Sequence, residues 1–283
     1  ATPRGGGIAI VLAMLGVLGL GALLQPAWAV PLLVFGVGLL LVAGIGWWDD
    51  HRPLPALHRL LVHLLASALL AGMVLIATGS VVHAGLVLVF TVSLVNIWNF
   101  MDGINGIAAS QAALAAIGYA LWLPAGMVIG ALALAAACLG FLPFNFPRAR
   151  IFMGDVGSGA LGYLVAGLLT LASVVTDINW LILLLPIAAF CVDAGFTLAS
   201  RILAGERWTQ PHAQHAYQRW VQAGASHRRV TSAYAAFSIV GITLASASTM
   251  LQPGWGAAMS AAWLVLAAGL WLVIRQVMGF RQD

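Results

Sequence analysis

Residues 8–24 read IAIVLAMLGVLGLGALL and, after a turn at Gln25-Pro26-Ala27, residues 28–48 read WAVPLLVFGVGLLLVAGIGWW. Neither run contains a charged side chain. A helix needs about 20 apolar residues to cross the hydrocarbon core of a bilayer, whereas a strand of a membrane barrel needs only about 9–11. Pro26 favours a turn between the two runs. The stretch therefore predicts two consecutive membrane-spanning helices.

Runs of this kind recur along the whole chain of 283 residues, of which 62% are hydrophobic and only 7% charged. A soluble domain carries about 25% charged residues, so the composition excludes a soluble enzyme, a disordered protein, a disulfide scaffold and a nucleic-acid-binding protein. The candidate spans are 8–25, 28–48, 60–78, 84–100, 107–123, 125–142, 158–175, 178–200, 231–251 and 255–274. We predict an all-α fold, a polytopic membrane bundle of about ten transmembrane helices that forms one domain over residues 1–283.

The charged residues are distributed unevenly between two sets of loops that alternate along the chain. All 12 basic residues are arginine, and they lie in or beside the N-terminal segment and the loops 49–59, 101–106, 143–157, 201–230 and 275–283. Positively charged loops stay in the cytoplasm, so both termini and these loops are predicted to be cytoplasmic. Most of the acidic residues lie in the same loops, which places a candidate active site at the cytoplasmic face.

The loop after the second run begins with Trp47-Trp48-Asp49-Asp50-His51-Arg52. Two adjacent carboxylates repel each other unless a cation intervenes, and hard divalent cations prefer carboxylate oxygens. The pair therefore predicts a Mg²⁺ or general-base site. The alternative is a solvated helix end anchored by the two tryptophans.

A second polar segment runs from Asn96 to Gly106 and reads NIWNFMDGING. Polar side chains recur here every three residues, where an apolar run meets the cytoplasm. A straight α-helix would spread them around its surface, whereas a 3₁₀ stretch or a helix broken at Gly103 and Gly106 would keep them together. Irregular backbone of this kind is tolerated beside a cavity. The alternative is a polar seam between two helices.

A third segment, residues 145–159, reads NFPRARIFMGDVGSG. Asp155 lies within a glycine-rich turn that opens the next apolar run. Helix N-termini bind anions through their free N–H groups and their dipole, so Asp155 is placed to hold a metal that bridges a phosphate. The alternative is an Asp or Ser side chain that caps the helix.

The longest polar stretch is the loop 201–230, in which His212 and His215 have the i, i+3 spacing of one helix face. Histidine and arginine in this loop predict contacts to phosphate. A zinc pair would lack a third ligand, and a basic loop lying on acidic lipid is the other alternative. Asp193 is an acid inside a predicted span, either functional by its position or a structural partner of Arg201.

Together these segments resemble the polyprenyl-phosphate N-acetylhexosamine-1-phosphate transferases of glycosyltransferase family 4. The Asp49-Asp50 pair, N-x-x-N-x-x-D-G-x-[DN]-G at 96–106, F-M-G-D-x-G-S at 152–158 and a histidine-containing last loop occur in the order of that family. The opening residues 2–7, TPRGGG, are similar to its first cytoplasmic loop. The resemblance covers essentially the whole chain, is nearest to the O-antigen-type branch, and implies one further helix before residue 1.

The resemblance implies transfer of a sugar-1-phosphate from a UDP-N-acetylhexosamine to undecaprenyl phosphate, with release of UMP. The implied cofactor is Mg²⁺, with Mn²⁺ as a substitute. The setting would be the inner membrane of a bacterium, where the reaction begins a lipid-linked glycan such as O-antigen. The implied partners are the two substrates and membrane lipid but no nucleic acid, and family members are often homodimers. The rival interpretation is a transporter, whose polar sites would lie near the bilayer midplane.

The resemblance also implies roles for individual residues. The implied catalytic residues are Asp49, Asp50, Asp102 and His215; the substrate-binding residues are Asn99, Asn105, Asn145, Phe152, His212 and Arg219; and the metal ligands are Asp155 and Asp50. Phe152 matches the aromatic that stacks on uracil. Asn105 departs from the many family members that have a second aspartate at that position, so one carboxylate is absent here.

Overall fold

The computed structural model describes residues 2–206 and 213–279, and within those ranges the ordered elements are all helical. The α-helices are α1 Gly7–Leu24, α2 Ala29–His51, α3 Ala56–Thr78, α4 Val81–Phe100, α5 Ile107–Ala120, α6 Val128–Asn145, α7 Asp155–Val175, α8 Trp180–Leu183, α9 Ala188–Leu203, α10 Ala216–Gln222, α11 His227–Ser248 and α12 Pro253–Gly279. The predicted all-α architecture is confirmed.

Each of the ten predicted apolar runs forms a helix or a broken helix. In the described part of the chain, nine helical stretches are long and apolar enough to cross a membrane, counting α8 and α9 as one. The tenth run forms α5, whose 14 residues extend about 21 Å at 1.5 Å per residue, less than the hydrocarbon core. The protein is therefore a multi-pass membrane protein.

The helix α7 is the centre of the bundle. It packs against α1, α2, α4 and α5, and Val174 near its far end is its one exposed residue. Small residues permit the close packing of α7 against its neighbours. A Cβ built on Gly162 would lie 2.6 Å from the Cα of Val95 in α4, which is too close for any larger residue. Because α7 begins at Asp155, the most buried helix of the bundle carries a predicted site residue at its first position.

Helix α4 ends within the second polar segment, and a glycine precedes the next helix. Helix α4 stops at Phe100, and α5 starts at Ile107 directly after Gly106, whose φ of 75° lies in the left-handed region. Glycine adopts that conformation without steric cost. The predicted interruption of the helix around Gly103 and Gly106 is present: residues 101–106 form the turn between α4 and α5, while Asn96 and Asn99 remain within α4.

The predicted span over 178–200 is present as Trp180–Leu203, but it is not one continuous helix. The run divides into α8 and α9 at a 3₁₀ turn, Leu185–Ile187. Pro186 lies in this turn, where it lacks the N–H that a continuing helix would need. The long loop that follows also contains a short helix, α10, which the sequence did not predict.

Asp193 anchors α10 to the bundle. Its buried carboxylate accepts hydrogen bonds from the backbone N–H groups of Ala216 and Tyr217, at 2.7 and 3.2 Å, and from the hydroxyl of Tyr234 at 2.7 Å. These groups come from three different elements, α9, α10 and α11. Arg201, the alternative partner considered for Asp193, donates to Glu206 at 2.8 Å. The observed contacts give Asp193 a structural role.

We expect Asp193→Ala to destabilise the protein by about 3–5 kcal/mol. The change leaves two backbone N–H groups and one tyrosine hydroxyl without their acceptor in the interior, and such losses are among the costliest single changes. Thermal unfolding in detergent measures the effect. The control is Asp177→Ala, which removes an exposed acid; equal unfolding temperatures for the two variants would contradict the prediction.

Candidate active site

A cavity of about 340 Å³ opens at the end of the bundle where α2, α4 and α6 finish and α7 begins. Its wall contains seven of the predicted site residues: Asp50, Asn99, Asp102, Asn105, Asn145, Phe152 and Asp155. They come from segments that are far apart in the chain. The structure therefore brings the first three polar segments together around one cavity.

The carboxylate of Asp50 caps the N-terminus of α7 at this cavity. Asp155 and Val156 donate their backbone N–H groups to its two oxygens, at 3.0 and 3.1 Å. The first N–H groups of a helix have no partner inside the helix, and its N-terminal end is electropositive, so an acid there is stabilising. Asp50 thus joins the end of α2 to the start of α7.

Two glycines make this close approach possible. Gly154 has a φ of 77°, and a Cβ on it would lie 2.6 Å from a carboxylate oxygen of Asp50. On α2, a Cβ on Gly46 would lie 2.6 Å from the carbonyl carbon of Asp155 and 2.8 Å from the amide nitrogen of Val156. A larger residue at position 46 would push α2 away from α7, and a larger residue at position 154 would displace the Asp50 carboxylate.

Arg59 links two acids beside the cavity. Its guanidinium lies 2.7 Å from a carboxylate oxygen of Asp49 and 3.2 Å from one of Asp155. The second oxygen of Asp49 accepts the N–H of Leu54 at 2.6 Å. Asp49 therefore lies behind the cavity wall, where it orients Arg59, while Asp155 is on the wall itself.

Asp102 lies in the turn between α4 and α5 and faces the same cavity. Burial raises the pKa of Asp102 well above its usual value, and the negative charges of Asp155 and Asp50 raise it further. Three carboxylates are therefore close enough to repel one another. A cation bound among them would relieve that repulsion.

We expect Asp102→Asn to be more stable than the parent protein at pH 7 in the presence of a metal chelator. The folded-state pKa of Asp102 is raised, so ionisation favours the unfolded chain at every pH above the ordinary carboxyl value, and asparagine removes that cost. Each 1 kcal/mol gained raises Tm by about 2–4 °C. The difference in Tm between the variant and the parent protein should narrow as the pH falls towards 4, where the carboxyl group of Asp102 is neutral in the folded state. Thermal unfolding across this range checks both points, and a less stable variant at pH 7 would refute the prediction.

The side chains of Asn145 and Asn105 hold the cavity wall together. Asn145 accepts the backbone N–H of Gly106 at 2.7 Å and donates to the carbonyl of Ile151 at 2.9 Å. Asn105 donates to the carbonyl of Pro147 at 3.1 Å. These bonds tie the α4–α5 turn to the loop between α6 and α7. Their predicted contacts to substrate stay predictions.

Phe152 and Asn99 both line the cavity. The ring of Phe152 is 41% exposed at the cavity wall, a position from which it can stack on a planar ligand. The side-chain amide of Asn99 donates to the hydroxyl of Ser158 in the first turn of α7, at 3.1 Å. Asn99 therefore fixes α4 against α7 next to Asp155.

Two other predicted residues, His215 and Arg219, lie outside the cavity wall. His215 is 2% exposed, stacks between Phe100 and Tyr217, and has its Nδ1 3.7 Å from the Asp193 carboxylate. It begins α10, and Arg219 lies further along that helix; neither belongs to the described cavity wall. His212 lies outside the described residues. The predicted roles of these three residues stay predictions.

Two cavity residues were missed by the sequence reasoning, Arg4 and His227. The backbone N–H of Phe152 donates to the carbonyl of Pro3 at 2.8 Å, and Gly6 donates back to the carbonyl of Phe152 at 3.0 Å. This pairing places Arg4 at the cavity. The similarity of residues 2–7 to a family loop was the available signal for Arg4, whereas His227 was noted only as part of a basic run.

The donor atoms around the cavity suit a Mg²⁺ ion that shares its coordination with a substrate. Among residues 2–206 and 213–279, no three Asp, Glu, His or Cys side chains are arranged to hold a metal ion by themselves. Magnesium usually takes only one or two protein carboxylates and completes its shell with water and phosphate oxygens. Asp155, with Asp50 or Asp102 beside it, fits that smaller requirement.

Comparison with known proteins agrees with this geometry. The model of glycosyl transferase family 4 matches residues 32–174, which run from α2 to α7 and include Asp50, Asp102 and Asp155. The chain belongs to this family. Membership of glycosyl transferase family 4 identifies the chain as a transferase and argues against the transporter interpretation.

Named relatives match more than half of the chain. It is 32% identical to the decaprenyl-phosphate N-acetylglucosaminephosphotransferase of Mycobacterium tuberculosis (strain CDC 1551 / Oshkosh), over 81% of this chain and 68% of the relative. It is 29% identical to the probable undecaprenyl-phosphate N-acetylglucosaminyl 1-phosphate transferase of Bacillus subtilis, over 88% and 75%. The phospho-N-acetylmuramoyl-pentapeptide-transferase of Desulforudis audaxviator is 34% identical over 57% of each chain.

Proposed function

We propose that this family member transfers an N-acetylhexosamine-1-phosphate group from a UDP-sugar to undecaprenyl phosphate and releases UMP. The observation that carries the proposal is the meeting of Asp50, Asp102 and Asp155 around one cavity at the loop-bearing end of a membrane bundle. The names of the relatives, which act on decaprenyl or undecaprenyl phosphate and N-acetylglucosamine, support the same reaction. They also favour UDP-GlcNAc among the donors, with 6-deoxy sugars such as UDP-FucNAc or UDP-QuiNAc as the alternatives.

In this reaction an oxygen of the lipid phosphate attacks the β-phosphorus of the donor. The bond from that phosphorus to the oxygen shared with the α-phosphate breaks, and the shared oxygen leaves with UMP. The second pKa of a phosphate monoester is about 6, so most of the acceptor is a dianion at neutral pH. Any remaining proton on the acceptor can pass to a carboxylate of the cavity wall, Asp50 or Asp102.

Asp155, together with Asp50 or Asp102, would hold Mg²⁺, and Mn²⁺ has the same ligand preference. When bound, the ion neutralises charge on the diphosphate and on the departing phosphate. The protein's own contribution is to fix these carboxylates. Asp50 is held by two amides of α7, and Arg59 holds Asp155 through its guanidinium.

Phe152 and Asn99 are the residues we assign to the donor. Phe152 offers an exposed aromatic face for the uracil ring, a contact worth about 1–3 kcal/mol per base in other proteins. Asn99 presents a polar side chain at the cavity wall near the start of α7. Together, Phe152 and Asn99 can position the donor diphosphate next to the carboxylates. Positioning is a main source of the rate enhancement in phosphoryl transfer.

The bacterial relatives support a location in the inner membrane of a bacterium. The distribution of arginine supports an orientation with this cavity towards the cytoplasm. UDP-sugars are made on that side of the membrane, so donor and acceptor would meet at the interface. A lipid-linked product formed there can begin a surface glycan, and O-antigen is the example that the motifs favour.

The proposal is tested with purified protein, undecaprenyl phosphate, Mg²⁺ and a panel of UDP-N-acetylhexosamines. We expect release of UMP and formation of a lipid-linked sugar diphosphate with one of these donors, and loss of both when EDTA is added. UMP must not appear when the lipid is omitted. Absence of UMP release with every donor would refute the proposed function.

A further inference from the structure

A second cavity, of about 360 Å³, lies beside the first at the same end of the bundle. It lies between the N-terminal segment and the end of α2, and its wall is formed by Arg4, Gly5, Ile8, Trp47, Asp50 and His51. Arg4 and Asp50 belong to both cavities. A ligand in the second cavity would therefore be next to a ligand in the first.

Arg4 places an exposed positive charge at this junction. The strand-like pairing of residues 3–7 with Phe152 and Met153 holds its backbone. Within residues 2–206 and 213–279 its guanidinium has no hydrogen bond or ion pair, in contrast to Arg59. Asp50 lines both cavities with Arg4, but among the described residues no hydrogen bond or ion pair joins the two side chains; its carboxylate accepts two amides of α7 and keeps its negative charge.

The second cavity has an apolar side that faces the bilayer. Ile8 of α1 and Trp47 of α2 are both partly exposed at its wall. One helical turn beyond Ile8, Leu12 is 63% exposed, and on α2 the exposed Leu40 lies seven residues before Trp47 and so on the same face. This apolar strip runs from the membrane-facing surface of the two helices to the cavity.

We propose that the second cavity binds the phosphate headgroup of the polyprenyl acceptor, and that Arg4 is the residue that holds this phosphate. This inference rests on the proposed function. A guanidinium can bind two phosphate oxygens at once, the apolar strip suits an isoprenoid chain, and the shared wall places the bound phosphate beside the donor cavity. No covalent step occurs here: the cavity binds and orients the acceptor, and the reaction takes place where the two cavities meet.

The kinetic test uses two variants. Arg4→Gln removes the positive charge, and Arg4→Lys keeps the charge but cannot form a bidentate contact to phosphate. We expect the KM for undecaprenyl phosphate to rise about 10–100-fold in Arg4→Gln, the range for losing a hydrogen-bonded charged group, and less in Arg4→Lys. The KM for the UDP-sugar should stay within about twofold of the parent value. The matched control is Arg52→Gln, a neighbouring exposed arginine outside both cavity walls, which should leave both KM values unchanged.

A binding test separates this inference from the proposed function. Undecaprenyl phosphate is titrated into the detergent-solubilised protein without donor, and bound lipid is counted by native mass spectrometry, with undecaprenol as the ligand that lacks phosphate. The parent protein should prefer the phosphorylated lipid, and Arg4→Gln should lose that preference. Unchanged binding and unchanged acceptor KM would overturn the assignment, as would a rise in the donor KM alone. A parent protein that binds the lipid phosphate through Arg4 but releases no UMP would refute the proposed function and leave this site standing.

Discussion

Asp155→Ala should reduce transfer of the sugar-1-phosphate by at least about 10³-fold. Asp155 begins α7, lines the cavity with a partly exposed side chain and contacts Arg59. Among the cavity acids it is therefore the one best placed to share Mg²⁺ with the proposed donor diphosphate. Removing a group that stabilises charge in the transition state costs about 10²–10³-fold in other enzymes, and loss of the metal adds to that. UMP release at saturating substrates measures the effect.

The acid at the opposite end of α7 provides the comparison for Asp155. Asp177 is exposed and lies just past the far end of the same helix, so Asp177→Ala should keep the parent rate. Both variants should bind undecaprenyl phosphate in the absence of donor, which shows that they are folded. If Asp155→Ala kept even a tenth of the parent rate, Asp155 would not be the residue on which the reaction depends.

Gly46→Ala should lower kcat by about 10²-fold although position 46 does not touch the cavity. The added methyl group would meet the backbone of Asp155 and Val156, and α2 would have to move away from α7. That movement draws Asp50 from the amides that it caps and shifts Asp155 relative to the donor. A displacement of about 1 Å remote from the reacting atoms can cost about 10²-fold.

Gly44→Ala is the matched control, since the same change two residues earlier on α2 meets no neighbouring atom within 4 Å. It should retain the parent kcat. The two variants are compared by steady-state UMP release and by thermal unfolding in the same detergent. Equal kcat values would show that the α2–α7 contact does not position the catalytic carboxylates.

The membrane fold was readable from the sequence because the apolar runs are long and their interruptions are short. Helix boundaries at Gly79 and Gly106 follow from the left-handed backbone that those positions adopt. The break before α9 was not readable, because Pro186 lies within an apolar run without flanking polar residues. The helix α10 was missed for another reason: it depends on a buried acceptor, Asp193, that belongs to a different helix.

The sequence predicted most of the residues of the candidate site but not the contacts between them. Each acid of the cavity lies where an apolar run meets a loop, which the charge pattern reveals. The contact between Arg59 and Asp155 joins residues 96 positions apart, and the cap that Asp50 places on Asp155 spans 105; no local spacing encodes either one. Arg4 was missed because an isolated arginine in a terminal segment carries no periodic signal.

The position of Asp155 on the most enclosed helix has a consequence for membranes of different thickness. Helices at the rim of the bundle, such as α12, contact lipid along most of their length and adjust to a thinner or thicker bilayer by tilting or by shifting along the membrane normal. Helix α7 has almost no lipid-facing surface, so no such force acts on it directly. We expect the surrounding helices to absorb hydrophobic mismatch, so that Asp155, and the reaction proposed for it, stays at a constant depth.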